Sequence, residues 1–132
     1  MKNQTMICVR DVEKSSDYYC KILGAISGHG GDEYDQILSE GKLILQLHQW
    51  ALPDHHGILA DQSIPLGNGV LLWFMTDDFD AAVGRAREAG ALFEMEPHEN
   101  PLARHMEFWL TDPDGYRIVI AGPSAHEHKA GY

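Results

Sequence analysis

The sequence predicts an α+β fold built from two tandem βαβββ modules, and three observations carry that prediction. First, a strand-length apolar run ending at an aspartate occurs twice, as QTMICVR before Asp11 and as VLLWFMT before Asp77, 66 residues apart. Second, each aspartate opens a helical stretch that ends 13 residues later at a Gly-Ala pair, Gly24-Ala25 and Gly90-Ala91. Third, each half closes with a turn glycine feeding an apolar strand, Gly41-Lys-Leu-Ile-Leu-Gln-Leu and Gly115-Tyr-Arg-Ile-Val-Ile-Ala. Three matched landmarks in one order mark an internal repeat.

The first module spans 1–50. Residues 4–10 form its first strand, and Asp11 caps a helix over 13–23. Val12, Tyr18, Tyr19, Ile22 and Leu23 supply that helix with an apolar face, and Gly24 stops it in a left-handed cap. Strands follow at about 25–30, 33–39 and from Gly41 onward. Residues 51–68, with two prolines and the Asp54-His55-His56-Gly57 stretch, read as a linker. The second module, 69–122, repeats the pattern with a strand at 70–76, a helix at 78–88, and strands near 92–97, 104–110 and after Gly115. Residues 123–132 read as a flexible tail.

Composition narrows the function. Twenty acidic against ten basic residues give a formal charge of −10, which repels phosphate backbones and anionic headgroups, so neither nucleic acid nor membrane is an expected partner. The longest strongly apolar run is too short to cross a bilayer, and no basic start with an apolar stretch and cleavage site is visible. Cys8 and Cys20 lack metal-type spacing and read as reduced core thiols, as in a cytoplasmic protein. No Gly-x-Ser-x-Gly elbow or phosphate-cradling glycine loop occurs, and nothing basic near Cys8 lowers its pKa for attack. No catalytic residue is assigned.

The opening QTMICVRDVEKSSDYYCKILGA and the ending DPDGYRIVIAGP resemble the first and last parts of modules in the vicinal oxygen chelate superfamily (glyoxalase, bleomycin resistance protein, extradiol dioxygenase). With the repeat between them, the resemblance covers about residues 3–122. It implies that the modules form an incompletely closed, cup-shaped mixed sheet. In metal-dependent members the first and last strands of each module hold the metal, and here those positions fall on Gln4, Leu45, Val70 and Val119. Only Gln4 matches a donor. One amide oxygen beside three hydrocarbons cannot replace a cation's hydration shell, so the superfamily's metal chemistry is not carried over and no metal or other cofactor is expected. A register slip or bulge that brought Gln46 and His48 inward is the alternative. His29, His55, His56, His98, His126 and His128 read as solvated, leaving His48 and His105 near strands.

Alternation from the four positions places Met6 and Cys8, Leu43 and Leu47, Leu72 and Phe74, and Arg117 and Ala121 on the concave face. The Asp112-Pro113-Asp114-Gly115 turn adds Glu107 and Trp109, and Trp50 closes one end. The expected ligand-binding set is thus Gln4, Cys8, Leu45, Leu47, Trp50, Val70, Leu72, Phe74, Glu107, Trp109, Arg117 and Val119. An apolar cup with a few polar groups suits a small, partly hydrophobic or aromatic molecule bound without metal. Alternatives stay open at individual residues: Glu107 and Arg117 as a structural ion pair, Trp109 and Phe74 as plain core. They also stay open for the whole protein. It can be a metal-dependent glyoxalase-like lyase, isomerase or dioxygenase with a rearranged site of Gln4, Gln46, His48 or Glu107. It can equally be a metal-independent isomerase with Glu107 as base, or an accessory module whose cup is filled by its own side chains. Because a module of about 60 residues buries little apolar surface, and because the superfamily resembled here pairs its modules, a homodimer is expected.

Overall fold

A computed structural model describes residues 1–51 and 61–123; most of the expected linker (52–60) and all but Pro123 of the expected tail lie outside the described residues. The chain divides into two compact units, Met1–Leu66 and Gly67–Tyr132. Each holds one βαβββ module whose strands form a four-stranded mixed sheet. No helix among the described residues is long and apolar enough to cross a membrane.

In the first unit β1 (Met6–Val9) leads into α1 (Val12–Leu23), followed by β2 (Ile26–Ser27), β3 (Tyr34–Ser39) and β4 (Lys42–Gln49), in the sheet order β1-β4-β3-β2. The Asp11 carboxylate accepts the Lys14 amide at 3.0 Å, and Gly24, at φ 62°, ends the helix as the sequence predicts. Val12, Tyr19 and Ile22 are fully covered together with Val9, Ile37, Leu45 and Leu47, so α1 and one face of the sheet share a core.

That core contains one buried carboxylate. Asp35, 2% exposed, accepts Ser16 Oγ of α1 at 2.6 Å, Ser27 Oγ at 2.7 Å, and the amides of Gly30 (2.6 Å) and Gln36 (2.8 Å). It ties helix, β2 and the loop after β2 to β3.

The second unit repeats the order with β5 (Leu71–Met75), α2 (Phe79–Glu88), β6 (Leu92–Glu99), β7 (Met106–Thr111) and β8 (Arg117–Ala121), in the sheet order β5-β8-β7-β6. Here the cap differs from the sequence expectation. Asp78, not Asp77, caps α2 by accepting the Ala81 amide at 3.0 Å. The offset between the two caps is therefore 67 residues, one more than the repeat read from sequence. Phe79 meets Phe108 edge to face at 5.6 Å between ring centres, and Phe93 packs on Phe108 at 5.4 Å, so α2 covers the face that carries Phe108.

Burial pushes the Asp35 carboxyl up, but the hydrogen bonds from Ser16, Gly30, Ser27 and Gln36 together hold it below its ordinary value. A carboxyl depressed on folding adds stability above its unfolded pKa, and that stability is lost as pH falls through the folded value. Asp35→Asn should cost about 1–3 kcal/mol at pH 7, because its amide turns an NH2 toward groups that donate. The loss should shrink below about pH 4. Urea unfolding at pH 7 and in acid measures both; equal stability of the two proteins at pH 7 contradicts the role given to Asp35.

Candidate functional site

Each sheet has a face covered by its helix and an opposite, open face, and strand alternation assigns every residue to one or the other. In the first unit the aligned row Ile7, Leu47, Asp35 lies on the helix side, because Asp35 bonds Ser16 of α1. The rows Cys8, His48, Tyr34 and Met6, Gln46, Gln36 therefore lie on the open side. Leu45, aligned with Ile37, and Leu47 belong to the core, which corrects their expected place on the concave face. The cause is a bulge. Ile37 pairs Leu45 but Leu38 pairs Leu43, so one extra residue in β4 switches its parity, and Gln46 and His48 come to the open face instead.

This first open face is a network of neutral polar groups. Tyr34 Oη donates to Gln46 Oε1 at 2.6 Å and accepts Gln36 Nε2 at 3.1 Å, while Gln46 Nε2 donates to the Gln4 carbonyl at 2.9 Å. His48 is buried, its Nδ1 3.0 Å from the Gln49 carbonyl oxygen. Burial raises the Cys8 thiol, which keeps it protonated and a poor nucleophile. Trp50 is buried under the Arg10 guanidinium, 4.9 Å from its ring centre.

The second open face has a different chemistry. Register aligns Trp73, Val119, Trp109 and Met95 in one row across all four strands. Trp73 is 47% exposed and Met95 44% at the two edges of the sheet, Trp109 is half-buried and Val119 fully covered between them, so the row is an apolar shelf that is accessible at its edges. Flanking it, Leu71, Arg117 and Thr111 align on one side, and Met75, Ala121 and Glu107 on the other. Leu72 and Phe74 align with Ile118 and Ile120 on the side of Phe108 and the helix. Their expected place on the concave face is thus corrected. Val70 precedes β5 and has the parity of Leu72. The one-residue error in the repeat offset accounts for all three: Gln4 corresponds to Leu71, and Met6 to Trp73.

At one end of the shelf sits Glu107, 2% exposed. Its Oε1 accepts Asn100 Nδ2 at 2.7 Å and His105 Nε2 at 2.8 Å, and its Oε2 accepts the Trp109 indole N–H at 2.6 Å. Burial pushes this carboxyl up, but the bonds from Trp109, Asn100 and His105, with the His105 charge when present, leave it below its ordinary value. His98 Nε2 stands 3.7 Å from Oε2, and the His105 ring meets Trp73 edge to face at 5.5 Å. Arg117 does not pair with Glu107, as one expectation had it. Its Nε donates to both Glu94 oxygens at 2.9 Å, and that bond holds the Glu94 carboxyl below its ordinary value. The two Nη groups of Arg117 have no partner among the described residues.

Sequence reading missed Trp73, Met95 and His105 on this face. The signal for His105 is its spacing: His105-x-Glu107-x-Trp109 puts all three side chains on one side of a strand. Trp73 was hidden by the offset error.

The donors do not fit the metal that chelating members of the superfamily resembled by the sequence use. Among the described residues no three His, Cys, Asp or Glu side chains converge as a metal site. The first open face offers Gln4, Gln46 and His48, while the second presents Leu71, Trp73, Arg117 and Val119 where its strands would contribute ligands. No step is therefore derived through a metal.

Comparison with known proteins agrees with this fold. The model of the Glyoxalase/Bleomycin resistance protein/Dioxygenase superfamily matches residues 3–120. A probable lactoylglutathione lyase of Vibrio cholerae serotype O1 is 28% identical over 141 residues, covering 96% of this chain and 94% of its own. Among solved structures, a protein of unknown function from Agrobacterium tumefaciens superposes with a TM-score of 0.75 at 21% identity, covering 93% of this chain and 94% of that one. A glyoxalase/bleomycin resistance protein/dioxygenase family enzyme from Burkholderia phytofirmans gives 0.74 at 21% identity, covering 89% and 94%.

Proposed function

Because the chain belongs to the glyoxalase/bleomycin resistance protein/dioxygenase superfamily, a fold that hosts many chemistries, we propose that it binds a small, flat, partly apolar molecule without metal. The molecule lies on the open face of the second unit. The observation that carries this reading is the aligned row Trp73, Val119, Trp109, Met95, whose accessible indole and thioether give a flat ring something to stack on. Arg117 supports it at the flank: Glu94 takes its Nε and leaves the Nη groups for a carboxylate or carbonyl on the ligand. Cys8 and Cys20 form no disulfide, which favours a reducing compartment such as the cytoplasm. Lyase activity is the activity in the name of the Vibrio relative, and a metal-dependent form of it finds less support in a donor set of two amides and one buried histidine.

4-Nitrobenzoate, a flat aromatic carboxylate that quenches indole fluorescence, probes the shelf. Saturable quenching is expected. Trp73→Ala and Arg117→Ala should each weaken it by about tenfold, equivalent to about 1.4 kcal/mol, while His48→Ala leaves it unchanged. Binding that survives Trp73→Ala, or that His48→Ala damages more, contradicts the placement on the second unit.

We also read the protein as a homodimer. β1 and β5 are edge strands of their own sheets, and Met6, Leu71, Trp73 and Met75 on them are exposed, an arrangement that favours cover by a second copy. Light scattering should give twice the 14.8 kDa chain mass; a monomer throughout the micromolar range contradicts it.

A further inference from the structure

The second open face holds more than a stacking surface. Glu107 and Trp109 alternate on β7, and His105 immediately precedes the strand; its contacts with Glu107 at 2.8 Å and with Trp73 at 5.5 Å set it on the same face. Glu107 is ionised and can only accept, so the 2.8 Å contact with His105 Nε2 fixes that nitrogen as the donor. In the neutral imidazole the lone pair is then on Nδ1, and no hydrogen bond engages Nδ1 among the described residues. The ring is 8% exposed and touches the accessible Trp73 at 5.5 Å, which sets it at the border between the buried carboxylate and the shelf.

We propose that the Glu107–His105 pair is a metal-independent general base acting on a flat carbon acid seated against Trp73. His105 is the catalytic residue and Glu107 the positioning residue that fixes its tautomer and stabilises the imidazolium. The step balances without a co-reactant. Nδ1 takes a proton from a C–H next to an electron-withdrawing group, and the C–H electron pair moves into the substrate. In an isomerisation the same imidazolium returns the proton to another carbon or face; in an elimination the electron pair forms a π bond, the bond to a leaving group on the neighbouring atom breaks with that group taking its electrons, and the imidazolium releases its proton to water or to the departing group. Isomerisation or elimination of a small aromatic or conjugated carbonyl-like compound is the class of reaction this arrangement serves.

The groups facing His105 are few. Glu107 lies on its own strand, His98 on β6 stands 3.7 Å from the same carboxylate, Asn100 donates to it from the loop, and the nearby Arg104 is engaged by Glu99 at 3.1 Å. Trp109, whose indole N–H occupies Oε2, keeps that oxygen from competing for the substrate's proton.

This inference rests on the shelf as the binding surface, and one probe separates the two. 5-Nitrobenzisoxazole is a flat carbon acid. A base removes its C3 proton, the electron pair closes the nitrile, the N–O bond breaks, and oxygen leaves as a coloured phenolate. Binding is read by tryptophan quenching and elimination by absorbance. The expected result is saturable binding with elimination about a hundredfold or more above buffer. His105→Gln should keep binding and lose the elimination, and imidazole added to His105→Ala should restore part of it. Glu107→Gln should lower the rate and change its pH profile; since it can also unsettle the fold, His105→Gln is the deciding variant. Binding without elimination, or elimination unchanged in His105→Gln, overturns the general base and leaves the shelf standing. Failure of the probe to bind overturns both.

Discussion

Among the described residues of each unit one helix lies against one side of a four-stranded sheet, and since strand side chains alternate, that contact decides which residue of every strand faces the open side. Two local interactions set it. Ser16 of α1 bonds Asp35 of β3 in the first unit, and Phe79 of α2 meets Phe108 of β7 in the second. Leu45, Leu47 and Leu72 follow Asp35 and Phe108 into the cores with the half-buried Phe74 on the same side, and Gln46, His48, Trp73 and Val119 are turned the other way.

The two units spend the same architecture on different chemistry. In the first, Tyr34, Gln36 and Gln46 satisfy one another with neutral hydrogen bonds, so that open face offers little unmet polarity to a guest. In the second, indole and thioether side chains form a row, and the polar groups Arg117, Thr111 and Glu107 lie in the rows that flank it. A buried carboxylate there is tolerable because three donors face it; with any one removed, its desolvation would be only partly offset. Glu107 thus holds Trp109 and His105 in fixed orientations, and a rigid aromatic surface loses less entropy on binding than a mobile one.

The βαβββ repeat was legible because its punctuation is chemical: an aspartate cap, a left-handed glycine and a turn glycine each leave a residue type behind. The faces were harder to read, because parity is lost with a single residue. Asp77 and Asp78 are adjacent, either can cap a helix, and choosing the first moved Val70, Leu72 and Phe74 onto the wrong side. The bulge opposite Ile37 leaves no glycine or proline in β4 to announce it, so Leu45 and Leu47 were misplaced. Where a tight turn fixed the register, at Asp112 to Gly115, the pairing of Trp109 with Val119 and of Glu107 with Ala121 puts these residues on the open face. The partner of Arg117 was not legible, because Glu94 lies on β6 and reaches β8 through a strand order that no single sequence displays, whereas His105, two residues from Glu107, was signalled only by its spacing.

The central claim is that ligand binding here proceeds on aromatic surface and not on a chelated ion. Metal analysis combined with native mass spectrometry of freshly purified, never chelated protein tests it most directly. The account predicts far less than one metal ion per chain, with a mass equal to polypeptide alone or to polypeptide plus an organic molecule. One equivalent of zinc, nickel, manganese or iron retained per chain would contradict it.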